Sequence, residues 1–209
     1  MMQAVILAGG MGTRLKEVVS DVPKPMAPVN GAPFLEYLVR QLVRWNVRDI
    51  VMSVGYKWES IRDYFGDGSA WGVTIRYSVE NEPLGTGGAI FQAAHMVSSD
   101  SFIVMNGDSY FDADIASLVN FHRARHAEAT IALAHVEQVD RYGKVDLNEQ
   151  CEVIRFREKE VGGQGIINSG IYVLNTSLIN NFTLPYTSFE KDVLPHLIGQ
   201  SFYGAVLDG

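Results

Sequence analysis

Ala4-Val5-Ile6-Leu7-Ala8-Gly9-Gly10-Met11-Gly12-Thr13-Arg14-Leu15 opens with five apolar residues and passes directly into a run holding three glycines. An uninterrupted apolar run of this length has no polar side, as expected of a strand buried on both faces of a sheet. Glycines just after it let the backbone come close to a ligand. Arg14 can fork onto phosphate oxygens, and Lys24, in the downstream Pro23-Lys24-Pro25, can act as a point charge. Two familiar phosphate loops are excluded. Counting from Gly10, the sixth position is Leu15 rather than glycine, so this is not the dinucleotide fingerprint. No Gly-Lys-Ser/Thr occurs, so it is not a P-loop either.

Outward from this stretch, apolar runs bounded by Gly, Pro and Asn alternate with helical patterns. Phe34, Leu35, Leu38, Leu42 and Trp45 recur at helical spacing. Strands are predicted at 49–54, 73–79 and 102–105, the last ending in Asn106-Gly107-Asp108. Helices are predicted at 60–65, closed by Gly66, and at 87–97. Asp114 reads as the cap of a helix running to about residue 126. Strands then dominate, at 130–136, 144–147, 153–157 and 166–174, before a last helix at 190–198 and a strand at 203–207. The alternation predicts an α/β fold: a Rossmann-like, mostly parallel mixed sheet flanked by helices. We expect one domain over 1–209, its second half from about 129 built on the same sheet. In such sheets ligands bind beyond the carboxyl ends of the strands, where the glycine loop and the Asp108 turn both fall.

Composition narrows the class. A net charge of −7 argues against a nucleic-acid partner, which requires a basic face. It also means that phosphates must be held by a few placed cations, backbone N–H groups and a metal. No apolar run is long enough to span a bilayer, and the first residues lack a basic, cleavable leader, so no membrane is expected and the cytoplasm is. The single Cys151 excludes an intramolecular disulfide. His122 and His126, four apart on a helix without acidic or Cys companions, read as a surface stripe and not as a zinc site.

Gly9-Gly10-Met11-Gly12-Thr13-Arg14-Leu15 followed by Pro23-Lys24-Pro25 resembles the signature of the sugar-1-phosphate nucleotidyltransferases, also called sugar-nucleotide pyrophosphorylases. The resemblance extends over residues 3–209. Glu80-Asn81-Glu82-Pro83-Leu84-Gly85-Thr86-Gly87-Gly88-Ala89 resembles the base-reading segment of the guanylyltransferase branch. Guanine presents N1–H and N2–H side by side, and one carboxylate can accept both. Glu80 is therefore the expected reader, with the Gly85 backbone facing the carbonyl edge of the base. Tyr142-Gly143, Glu158-Lys159 and Asn168-Ser169-Gly170 resemble, in this order, the sugar-phosphate site. Ser188-Phe189-Glu190-Lys191-Asp192 also matches and reads as a helix start.

The resemblance implies the nucleotide-diphospho-sugar transferase fold, with a nucleotide-binding half at about 1–128 and a sugar-phosphate lobe at about 129–209. It implies Arg14, Lys24 and Asp108 as catalytic residues. Leu7, Gly9, Gly10, Gly12, Thr13, Glu80, Gly85 and Thr86 would bind the nucleotide. Asn106, Gly143, Glu158, Lys159, Asn168 and Gly170 would hold the sugar phosphate, and Asp108 would bind Mg²⁺, a hard ion suited to a carboxylate. The implied partners are GTP and a sugar 1-phosphate. Chain length and Asp140-Arg141-Tyr142-Gly143-Lys144-Val145 look most like members acting on a heptose 1-phosphate, in cell-envelope glycan synthesis. Mannose 1-phosphate with GTP, an amino sugar with UTP, and a non-catalytic sugar-nucleotide sensor stand as alternatives, the sensor disfavoured by intact Arg14, Lys24 and Asp108. The sequence leaves a homodimer open. In the family a second aspartate, in an Asp-Ile-Gly segment, helps hold the metal and would fall past Gly209. Asp208 stands too early for it, so the natural protein is expected to continue.

Overall fold

The computed structural model describes residues 1–10, 22–137, 144–157, 163–179 and 186–208. In chain order its elements are β1 (Gln3–Leu7), β2 (Pro28–Val29), β3 (Ala32–Pro33), α1 (Phe34–Arg44), β4 (Asp49–Val54), α2 (Trp58–Phe65), β5 (Thr74–Val79) and α3 (Gly85–Ala94). There follow β6 (Ser101–Asn106), α4 (Ile115–Ala124), β7 (Ala129–Val136), β8 (Lys144–Leu147), β9 (Val153–Arg157), β10 (Gly165–Asn175), α5 (Thr176–Ile179), α6 (Leu194–Leu197) and β11 (Phe202–Leu207). No helix among the described residues is long and apolar enough to cross a membrane.

The main sheet runs β11-β7-β10-β6-β1-β4-β5, with β8 attached to β10 and β9 to β8. β1, β4, β5 and β6 are mutually parallel, and β11 is parallel to β7. β10 alone on that path is reversed, antiparallel to β6 and β7. The mostly parallel mixed sheet expected from the sequence is therefore the one observed, and β7, β10 and β11 extend the sheet begun by β1.

The continuous apolar strands are explained by burial on both faces. Ala4 and Ile6 join one core with α1, α2 and α4, while Val5 joins the other with α3, α5 and α6. Ile50 and Met52 against Val51, and Ile103 and Met105 against Phe102 and Val104, divide the same way. Alternate side chains of a strand point to opposite faces, so every position of such a run is taken up. Asp114 caps α4 as expected: its carboxylate accepts the Ser117 N–H at 2.9 Å. Donors from Ser117 and Ala116 hold that carboxyl below the usual range.

Two expectations are corrected. The helix expected at 190–198 is a π turn over Phe189–Val193 followed by α6, ending before Ile198. Pro195 has no N–H with which to close a regular turn onto Lys191. His122 is not on a surface stripe. It is 3 % exposed, its ring 2.9 Å from Thr130 Oγ1 and 3.1 Å from Asn175 Oδ1. Burial pushes its pKa below the ordinary value, partly opposed by the Asn175 bond.

Candidate active site

β1 lies between β4 and β6, and the chain has already passed through β4 and β5 on one side before β6 returns to the other. Ligands in open α/β sheets bind at such a switch, beyond the carboxyl ends. Here the two strand ends are locked together. Leu7 pairs with Asn106 in the β1–β6 ladder, and the Gly107 N–H donates to the Leu7 carbonyl at 2.9 Å. A Cβ on Gly107 would collide with that carbonyl, so only glycine allows the approach. The turn that follows sets Asp108 over the end of β1.

Lys24 reaches the same point from a 3₁₀ turn, Lys24–Met26, in which the Met26 N–H donates to the Pro23 carbonyl at 2.8 Å. Its Nζ stands 2.6 Å from Asp108 Oδ2, across 84 residues of sequence. Both side chains are partly open to solvent, 36 % and 45 %. An ion pair of this exposure contributes only about 0–1 kcal/mol to folding. The Ser109 hydroxyl also donates to Asp108, at 3.3 Å.

Leu7, Gly9, Gly10, Lys24, Glu80, Gly85, Thr86, Asn106 and Asp108 line one open cleft of about 870 Å³. Glu80 is held from two sides. Its Oε1 accepts from Ser53 Oγ at 3.1 Å and its Oε2 from the Leu84 N–H at 3.2 Å. Each carboxylate oxygen keeps a further acceptor site. A Cβ at position 9 would fall on the Glu80 carboxylate, so the glycine lets the two approach. The Glu80 backbone N–H, bonded to the Val54 carbonyl at 2.8 Å, anchors the residue to the β4 end.

Asn106, Asn168 and Gly170 form a third group. Gly170 has φ +81°, and a Cβ there would meet Asn106 Nδ2 at 2.9 Å. The β10–β7 register shifts between Asn168 and Tyr172, a bulge that a left-handed glycine supplies. Asn168 Nδ2 donates to the Tyr172 hydroxyl at 2.6 Å, and its Oδ1 accepts the Gly170 N–H at 2.8 Å. Tyr172 is fully buried, and burial raises its phenol well above the ordinary value. Asn106 Oδ1 is buried with no hydrogen-bond partner among the described residues. A buried carbonyl left without a donor is costly unless a ligand supplies one.

Gly12, Thr13, Arg14, Gly143, Glu158 and Lys159 lie outside the described residues. Thr86 is present but committed: its hydroxyl donates to Glu190 Oε2 at 2.8 Å and accepts the Phe189 N–H at 2.8 Å. The helix start read at 188–192 is present, since Ser188 Oγ accepts the Lys191 N–H at 3.3 Å. Gly55, Tyr56 and Tyr186 also line the cleft and were not singled out from the sequence. Gly55 carried a readable signal: it directly follows a buried apolar strand, and a Cβ there would lie 3.1 Å from the Gly9 carbonyl. Among the described residues no group of three or more His, Cys, Asp or Glu side chains is placed to hold a metal. Asp108 remains a fitting single anchor, exposed to the cleft, because Mg²⁺ characteristically takes one or two carboxylates and completes its shell with water and substrate phosphate.

Residues 3–201 match the protein family described as nucleotidyl transferase. The chain is 44 % identical to D-glycero-α-D-manno-heptose 1-phosphate guanylyltransferase of Campylobacter jejuni, over 91 % of this chain and 84 % of that protein. It is 39 % identical to the enzyme of the same name from Aneurinibacillus thermoaerophilus, over 99 % and 90 %. HddC of Yersinia pseudotuberculosis, solved in complex with GMP-PN, superposes with a TM-score of 0.87 at 38 % identity, covering 99 % of this chain and 90 % of HddC.

Proposed function

The chain belongs to the nucleotidyl transferase family, and from that premise we propose that it transfers a guanylyl group from GTP to D-glycero-α-D-manno-heptose 1-phosphate. The products are GDP-heptose and pyrophosphate. The observation that carries this reading is the meeting of Lys24 and Asp108 at 2.6 Å, in a cleft that Glu80 also lines. The same cleft thus offers charged groups for a triphosphate and an acceptor for two adjacent N–H donors. HddC bound to GMP-PN supports guanine as the base.

The charges dictate the mechanism. A sugar phosphate is already an anionic nucleophile at neutral pH, so no general base is required. One of its oxygens attacks the α-phosphorus of GTP in line, the α–β P–O bond breaks, and pyrophosphate leaves with the electron pair. The barrier is largely that of bringing two anions together. A pair of unit charges 4 Å apart repels by ~4 kcal/mol at an effective dielectric near 20. Lys24 and Lys159 would hold the attacking phosphate near the α-phosphorus. Arg14 and the glycine-loop amides would stabilise the leaving pyrophosphate. This is positioning and electrostatic stabilisation without a covalent intermediate. Asp108 would hold a divalent cation, Mg²⁺, which would supply charge neutralisation there. Asn106 Oδ1 and Asn168 would take sugar hydroxyls. Dependence on GTP fits a cytoplasmic reaction.

The test is pyrophosphate release over four nucleoside triphosphates and heptose, mannose and amino-sugar 1-phosphates. GTP with heptose 1-phosphate should give the highest kcat/KM. Comparable values for UTP would overturn the base assignment, and a higher value for mannose 1-phosphate the sugar assignment.

A further inference from the structure

The loop that carries the base-reading carboxylate is fastened at its far end by a segment about a hundred residues away. The Thr187 N–H donates to the Leu84 carbonyl at 2.9 Å. The Thr187 carbonyl accepts from the Gly87 N–H at 2.7 Å and from the Gly88 N–H at 3.4 Å. The Thr86 hydroxyl donates to Glu190 and accepts from the Phe189 N–H, both at 2.8 Å. Ser188 Oγ adds a contact to Glu190 at 3.4 Å. Gly85 and Gly87 lie so close to Thr187 that a Cβ on either would stand 2.5 Å and 2.9 Å from its nearest atom. The fastening segment is anchored in turn. Thr187 and Phe189 are fully buried, and Phe189 packs edge-on against Tyr172, ring centroids 5.1 Å apart.

Glu80 therefore has two independent supports. One oxygen is held by Ser53, on β4, and the other by the Leu84 N–H, on the fastened loop. Resting on the reading that Glu80 accepts guanine N1–H and N2–H, we propose that Glu190, acting through Thr86, is a positioning residue for base selection: it holds the first turn of α3, and with it the loop that ends at Leu84, so that the Glu80 carboxylate meets both donors together. Loosening the loop leaves the Ser53 support intact and lets the carboxylate turn about it. One donor can then still be met, but the matched pair is lost. The consequence is a fall in discrimination between bases that share N1–H and differ in N2–H, not a general loss of turnover.

ITP, which lacks the N2 amino group, is the probe. In Thr86→Val, which keeps the shape and removes the hydroxyl, the kcat/KM preference for GTP over ITP should fall about tenfold or more, the loss expected for a hydrogen bond to a charged group. KM for GTP should rise, while KM for the sugar 1-phosphate stays within about twofold. Glu190→Gln, the milder change, should move the ratio in the same direction, and it serves alone if Thr86→Val does not fold. Thr86→Ser, which restores the hydroxyl, should restore the ratio. Glu80→Gln separates the two layers of the argument. If it discriminates GTP from ITP as the wild type does, the base reading falls and the proposal with it. If it loses the preference while Thr86→Val and Glu190→Gln keep it, the base reading stands and the positioning role is overturned. Equal losses with GTP and ITP in both variants would also overturn it, by showing a merely structural contact.

Discussion

Lys24→Ala separates the chemistry of the cleft from the stability of the fold. Among the described residues the lysine pairs with Asp108, at 2.6 Å, and both partners are more than a third exposed. Solvent screens such a pair, so losing it costs about 0–1 kcal/mol. For a domain of this size that lowers Tm by at most about 4 °C. The catalytic cost is set by a different quantity. Removing one preorganised donor from developing phosphate charge typically costs ~2.7–4 kcal/mol, a factor of about 10²–10³. Asp108 is also left without its counter-charge at the point where the triphosphate must approach, which adds to the loss. The expected outcome is a kcat/KM at least about a hundredfold lower with nearly unchanged unfolding. Pyrophosphate release under initial-rate conditions and thermal unfolding of the same preparation read the two quantities. Turnover within a few-fold of wild type would refute the placement of Lys24 on reacting phosphate, and a Tm drop well beyond 4 °C would show the exposed pair to be structural.

Asp108→Asn should raise the Mg²⁺ concentration for half-maximal activity about tenfold or more, because a unit-charge contact near 4 Å is worth ~4 kcal/mol at an effective dielectric of about 20; an unaltered Mg²⁺ titration would remove Asp108 from the metal site. Gly107→Ala forces a Cβ onto the Leu7 carbonyl, so it should destabilise by about 1–3 kcal/mol and lower kcat by displacing Asp108; a wild-type denaturation midpoint would contradict the packing. His122, whose pKa burial lowers, gives a pH dependence with a definite sign. Below the unfolded value near 6.5 the unfolded chain takes up a proton that the folded chain refuses, so stability falls toward acid, by up to ~1.4 kcal/mol per pH unit until the folded pKa is reached. Urea unfolding at pH 7.5, 6.5 and 5.5 should show this fall, flattened in His122→Gln; an equal slope in the variant would exclude the imidazole as its source.

The parts of this design legible in the sequence were the local ones. The buried strand 4–8, the glycine loop and Asn106-Gly107-Asp108 are written in consecutive residues, and their functional pieces lie at strand ends, where an α/β sheet puts ligands. That Lys24 and Asp108 belong together followed from resemblance, and the 2.6 Å contact adds a physical pairing. Contacts between distant segments were not legible. His122 reads as a surface residue from its own helix, because Thr130 and Asn175, which satisfy its ring, lie on other elements. Thr86 reads as a nucleotide contact, and nothing near it in sequence tells that its hydroxyl also meets Glu190, 104 residues away. The reversal of β10 is equally silent, since an apolar run buried on both faces has the same composition in either direction.

That reversed strand has a consequence for the protein while it is being made. β6, with Phe102–Met105 almost wholly buried in the finished fold, can pair with β1 as soon as it leaves the ribosome. Its other edge waits for β10, which begins about 60 residues later. At roughly 5–20 residues per second of synthesis that is an interval of about 3–12 s. Throughout it an apolar strand shows open N–H and C=O groups, a template for pairing with another nascent copy. The helix α4 and strands β7 to β9 are synthesised in the meantime, so the hazard ends only when the chain turns back and inserts β10 between strands already formed.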